Sequence, residues 1–181
     1  GNYSYPDLLV SMEKSYHNKT WDQSHEELQK ENSYMLTIRQ FVDFLNLLRS
    51  ETVYDGTGNK ISKNKLNNVL DEILTKRHPW REEWLDARFD IQGKQNTITY
   101  HKITPKGLEQ FTGPLEDCLM KDNIPGIDLE DWLNNATHQG LPRAKIKKGD
   151  LYYLYPREGT VARFLADSGR AGFVCYGDPQ Y

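Results

Sequence analysis

The chain has 181 residues, 37% hydrophobic and 27% charged, enough for one domain or one domain plus an arm. Its net charge of -3 and pI near 6.0 give no basic footprint for DNA or RNA, and Tyr 11, Phe 6 and Trp 4 supply a core that argues against global disorder. No apolar run reaches the roughly 20 residues a membrane-spanning helix needs, and no basic-then-apolar secretion signal opens the chain.

"PDLLVSMEKSY" sets Leu8, Leu9, Met12 and Tyr16 at helical spacing and predicts a short amphipathic helix. "WDQSHEELQKENS" is polar and reads as an exposed helix or a loop. In "TIRQFVDFLNLLRS", Ile38, Phe41, Val42, Leu45 and Leu48 form one apolar stripe, and Thr37 with Gln40 makes a capping box at its start. Ser50 to Lys60 is turn-rich. A second stripe, Leu66, Val69, Leu70, Ile73 and Leu74, predicts a helix from Ser62 to about Arg77, with Pro79 beyond it. "RFDIQGKQNTITYHKI" alternates around Gly93-Lys94 and predicts a β-hairpin. Thr104 to Ile127, rich in Pro and Gly, reads as irregular. Asp128 caps a short helix carrying Leu129, Trp132 and Leu133. "RAKIKK" (143 to 148) reads as a solvated loop. "DLYYLYP", Thr160 to Asp167 and Ala171 to Cys175 then read as short strands. Helices first and short antiparallel strands after them predict an α+β fold, with an N-terminal helical arm over 1–33 and the main domain over 34–181.

No assembled catalytic or metal motif stands out. The histidines at 17, 25, 78, 101 and 138 show no HxxxH or HExxH spacing and read as surface or helix-end residues. Cys118 and Cys175 cannot form a metal cage by themselves, and no CxxC, GxSxG, P-loop or GxGxxG occurs. Glu116-Asp117 and Glu130-Asp131 fall where turns and helix starts favour acids. The expectation is a non-enzyme without cofactor or metal.

The tail has a different texture. From Val161 to Pro179 there is no Lys, Glu, Gln, Met or Trp, although exposed strand positions normally recruit some of them. Ala162, Phe164 and Ala166 alternate on one face as a buried set. The interleaved set is Arg163, Leu165, Asp167, Gly169, Gly172, Val174, Tyr176, Gly177 and Asp178, with Tyr181 closing the chain. Codons of the form NNY encode none of the five missing types, so these residues are those reached when an AAY codon has its adenines replaced.

"VARFLADSGRAGFVCYGDPQY" resembles the variable region of proteins diversified by retroelements, of the archaeal and archaeal-virus kind. Upstream, "MLTIRQFVDFLNLL", "LEDWLNN" and "KKGDLYYLYP" are similar to the C-type-lectin fold as used by relatives of formylglycine-generating enzymes. The family's closing Leu-Gly-Val-Arg element is not found before Tyr181. The resemblance covers about Tyr34 to Tyr181. It makes Val161, Ala162, Phe164, Ala166, Ser168, Arg170, Ala171, Phe173, Cys175 and Pro179 frame residues and the interleaved ones exchangeable. It implies a rigid scaffold presenting 161–181 to a protein or cell-surface ligand, without calcium and without catalysis. Two other classes stay open: an oxidase of the formylglycine-generating type using Cys118 and Cys175 as a copper-thiolate pair, and a structural virion or surface-layer protein.

Overall fold

The computed structural model describes residues 4–13 and 15–175, without the side chains of residues 123–125. The architecture is mixed α+β. In chain order the elements are α1 (Trp21–Lys30), α2 (Ile38–Ser50), α3 (Lys63–Leu74), β1 (Arg81–Gln92), β2 (Gln95–Thr104), β3 (Gly107–Pro114), β4 (Asn123–Ile127), α4 (Leu129–Asn135), β5 (Leu151–Leu154), β6 (Val161–Ala166) and β7 (Ala171–Cys175). One seven-stranded sheet has the order β3-β2-β1-β6-β7-β5-β4. Neighbours are antiparallel except β5 and β7, which run parallel. The late strands β6 and β7 therefore lie at the centre of the sheet.

The helices start where their caps place them. Thr37 accepts from the Gln40 N–H while the Gln40 side chain accepts from the Thr37 N–H, a reciprocal box that fixes the entry to α2. Thr20 and Gln23 repeat the device on α1. Ser62 caps α3, whose last helical residue is Leu74 rather than one near Arg77; Thr75 already has extended backbone. Asp128 caps α4 through the Asp131 N–H.

The apolar stripes of α2 and α3, with α4, cover one face of the sheet. The core there holds Phe41, Leu45, Leu66 and Trp132 against Leu85, Phe89, Ile98, Phe164 and Phe173. Rings step across the centre. Phe41 lies 5.5 Å from Phe164, Trp132 stacks on Phe164 at 6.3 Å, and Tyr153 stacks on Phe173 at 5.9 Å. Such pairs add to the burial of area itself. The polar atoms carried inward are satisfied: Trp132 Nε1–H donates to the Gly140 carbonyl and the Tyr153 hydroxyl to the Leu119 carbonyl. Gly140 itself, at φ +92, presses against the backbone of Ile38 and Arg39, where an added Cβ would come within 2.5 Å.

Three sequence expectations are corrected. No helix forms among described residues 4–20: Tyr16 and Asn18 have φ of 55 and 58, which a right-handed helix cannot take, and Leu9 is 82% exposed. Thr104 to Ile127 is not irregular throughout but carries β3 and β4. β3 is an edge strand, so its Gly and terminal Pro interrupt no second ladder. "WDQSHEELQK" is a helix but not an exposed one. Trp21, Ser24 and His25 are buried because α1 packs on the opposite face of the sheet, where Trp21 joins Met35 and Val161. The hairpin around Gly93-Lys94 holds, with Gln92 paired to Gln95 and Gly93 at φ 69.

Phe164 is the ring that joins α2 and α4 to the central strands. Phe164→Ala is expected to lower the unfolding free energy by about 3–5 kcal/mol, measured by urea titration. A loss below about 1 kcal/mol would contradict this account of the core.

Candidate functional site

Because β1 alternates, Leu85, Ala87 and Phe89 enter the core while Trp84, Asp86, Arg88 and Asp90 face the α1 side. Pairing of β1 with β6 slips between Trp84 and Arg88: Trp84 sits opposite Arg163, and Arg88 opposite Val161. The bulged residues find other partners. The Leu85 carbonyl accepts from Trp21 Nε1–H at 2.9 Å, and the Asp86 N–H donates to the Leu36 carbonyl at 2.8 Å. Bulges of this kind re-aim side chains and are common beside sites.

The first bond seats α1, and His25, one turn beyond Trp21, then lies over Asp86. Its Nε2 is 3.3 Å from Asp86 Oδ1. From β2, His101 Nδ1 is 3.0 Å from the same oxygen, and the His101 backbone N–H donates to Asp86 Oδ2 at 2.6 Å. The two imidazoles are 4.9 Å apart between centroids, and Trp21 meets His25 edge-on at 4.2 Å. Asp86 is 1% exposed and His25 7%. Burial alone would raise the Asp86 carboxyl, but the His101 hydrogen bond and the approach of both imidazoles override it and hold it below the usual carboxylate range. The hydrogen bond to Asp86 raises His101 against its own desolvation.

His25 and His101 line one end of a cleft of about 990 Å³ between α1 and the outer face of β1, β2 and β3. Gln23 and Glu26 contribute from α1, and Arg88, Thr99, Gln110 and Thr112 from the strands. The lining is polar and carries more acids than bases: Asp22, Glu26, Asp90 and Glu158 against Arg88. β1 and β2 bury core residues on their other side, and β3 extends the wall as an edge strand paired to β2.

The positions singled out in the tail fall differently. Leu165 and Val174, expected to face outward, are 7% and 1% exposed. The reason is their place in the middle of the sheet: Leu165 stands between Glu82 and Gly172, and Val174 between Arg163 and Leu154. Gly172 is buried too, and a Cβ there would meet the Tyr152 carbonyl oxygen at 1.9 Å. Arg163 bonds Glu82 at 2.6 Å and lies over the Trp84 ring. Asp167 shapes the β6–β7 turn, its Oδ1 accepting from the N–H groups of Gly169 and Arg170. Gly169 is exposed, and a Cβ there would make only ordinary contact with Asp167. Tyr176, Gly177, Asp178 and Tyr181 lie outside the described residues. Of the frame, Phe164 and Phe173 point into the core as expected.

The cysteines are free and buried. Burial pushes the Cys118 thiol up to about 12 and that of Cys175 well above its ordinary value, with Cys118 adding to the rise at Cys175. Among the described residues, the group that could hold an ion is His25, Asp86 and His101, which the sequence reading passed over. A signal was available: Trp21 and His25 are one turn apart on α1, while Asp86 and His101 sit at polar positions of adjacent alternating strands. No helix among the described residues is long and apolar enough to cross a membrane. Comparison of the chain with known protein families, curated proteins and solved structures gave no match. What fold and site define is an α+β protein with a polar cleft beside a buried His-Asp-His cluster.

Gly172 and Gly169 mark the two extremes of crowding along β6 and β7. Gly172→Ala is expected to destabilise by about 3 kcal/mol or more, at or above the top of the overpacking range, because its new neighbour is backbone. Gly169→Ala should stay within about 0.5 kcal/mol of wild type. Thermal unfolding of the two variants side by side checks the pair, and equal tolerance would refute the close β5–β7 approach.

Proposed function

We propose that the protein is a ligand-binding protein that recognises a protein or cell-surface ligand on the α1 side of its sheet, without catalysis. The observation that carries this reading is the cleft: a concave polar surface of about 990 Å³ borne on β1, β2 and the edge strand β3, of which β1 and β2 back onto the core. Side chains there can change with little effect on folding, and a preformed concavity limits the ordering needed on binding. The acidic bias of the lining suits a ligand with basic groups and disfavours nucleic acid.

The finer reading is a C-type-lectin-like scaffold whose tail is diversified by a retroelement. Its support is the residue pattern of 161–175, together with the central position of β6 and β7 on an aromatic core. Exchange is then confined to Arg163, Asp167, Gly169 and the residues after Cys175. Leu165, Gly172 and Val174 act as frame, because their burial or close backbone approach restricts them to small or apolar side chains.

Two measurements test the reading at its two levels. Binding to arrayed extracellular proteins and glycans should be lost in Gln110→Trp, which fills the cleft, and kept in Asn67→Trp on the exposed face of α3. Both variants should melt within about 0.5 kcal/mol of wild type. Unchanged binding in Gln110→Trp removes the cleft as the recognition surface. Sequencing of many clones from one population should show replacements at codons 163, 167 and 169, with Phe164 and Phe173 constant. Variation spread evenly over the frame would end the retroelement reading.

A further inference from the structure

We infer that His25, Asp86 and His101 form a binding site for one divalent first-row transition ion of the zinc class, opening into the cleft. The donor set is two imidazoles and a carboxylate from three different elements, α1, β1 and β2, and their ligand atoms all lie within 4.8 Å of one another. The two spacings to the Asp86 carboxylate fit a common ion. Donors 3.0 and 3.3 Å apart, each about 2.0–2.1 Å from a metal, subtend angles of roughly 90–110°, between octahedral and tetrahedral values.

Hydrogen bonding alone does not account for the cluster. His25 is more than nine-tenths buried, yet neither ring nitrogen has a hydrogen-bond partner. Its Nε2 stands 3.3 Å from Asp86 Oδ1 but is not aligned to bond it. Buried polar atoms without partners are rare and call for a bound water, an ion or a catalytic role.

The surroundings agree with a cation. Asp86 is the only carboxylate of the cluster, and its second oxygen is held by the His101 backbone N–H, which leaves Oδ1 oriented toward both imidazoles. Such outer bonds orient ligating groups. The neighbouring cleft wall is acidic through Asp22, Glu26, Asp90 and Glu158. Two imidazoles with one carboxylate suit zinc, iron or cobalt better than calcium or magnesium, which prefer all-oxygen sites. With three protein donors the coordination sphere is incomplete, and its remaining positions are reached from the cleft that His25 and His101 line.

The test uses tag-free protein, first stripped with a chelator, and then Zn2+ or Co2+ alone. One equivalent of Zn2+ should bind and raise the melting temperature as free Zn2+ increases. Co2+ should give visible d–d bands of a nitrogen- and oxygen-ligated ion, which Zn2+ displaces. His25→Gln and His101→Gln should each weaken Zn2+ binding by more than the roughly 100-fold that losing an outer partner costs. His138→Gln, at an exposed histidine, should leave it unchanged. Wild-type protein that shows neither stoichiometric Zn2+ binding nor cobalt bands overturns the proposal without reliance on any variant. Equal affinity in wild type, His25→Gln and His101→Gln overturns it as well. The cleft-filling Gln110→Trp readout is independent, so failure of the metal site and failure of recognition are separable.

Discussion

The bond from the Trp21 indole to the Leu85 carbonyl sets the geometry of everything on the outer side of the sheet. That carbonyl is at hand because β1 slips its register against β6 between Trp84 and Arg88. A regular ladder would engage the backbone groups of this stretch in pairing with β6. The slip turns a backbone irregularity into a docking point for α1, and Val161 and Met35 complete an apolar seat for the Trp21 ring. The distance between helix and sheet, and hence the cleft, follows from where this one side chain lands.

The inner side imposes the complementary constraint. Phe164, Phe173, Trp132 and Tyr153 fix the central strands by ring contacts that tolerate little change of volume. The parallel pairing of β5 and β7 then brings the Tyr152 carbonyl against Gly172, closer than any side chain permits. Strands held this tightly make a good platform and a poor site for exchange. Room for substitution is greater at the β6–β7 turn, where Gly169 is exposed and a Cβ would make only ordinary contact.

Much of this could be read beforehand where a local rule decides the outcome. The stripes of α2 and α3, the Thr37–Gln40 box and the Gly93-Lys94 turn each involve residues within a few positions of one another, and each appears in the fold. Two failures are local, the helix expected around Leu8 to Tyr16 and the end of α3 at Leu74, and the others are long-range. Alternation identified which residues of β6 share a face, but not that β6 and β7 would lie at the centre of the sheet with Leu165 and Val174 buried. Pro and Gly between 104 and 127 suggested loop, yet an edge strand with one free side accommodates them. The histidines looked scattered because 25 and 101 meet only when α1 folds back across β1 and β2. Spacing along the chain hints at it only through His25 one turn from Trp21 and through the polar strand positions of Asp86 and His101.

The buried Asp86 is the step at which stability and function part. Transferring a carboxylate from water costs several kcal/mol even after relaxation, and well-packed apolar residues of similar volume usually serve folding as well or better than a buried ion pair. Here the charge is not sealed by a complete set of bonds. One oxygen is satisfied by a backbone N–H, the other is shared between two rings, and one of those rings has both nitrogens without a bonded partner. A purely structural network would be expected to close, because half-satisfied polar clusters are worse for folding than apolar packing. An open cluster at the end of a polar cleft, on a face whose scaffold depends on quite different contacts, is better explained by what it can bind than by what it holds together.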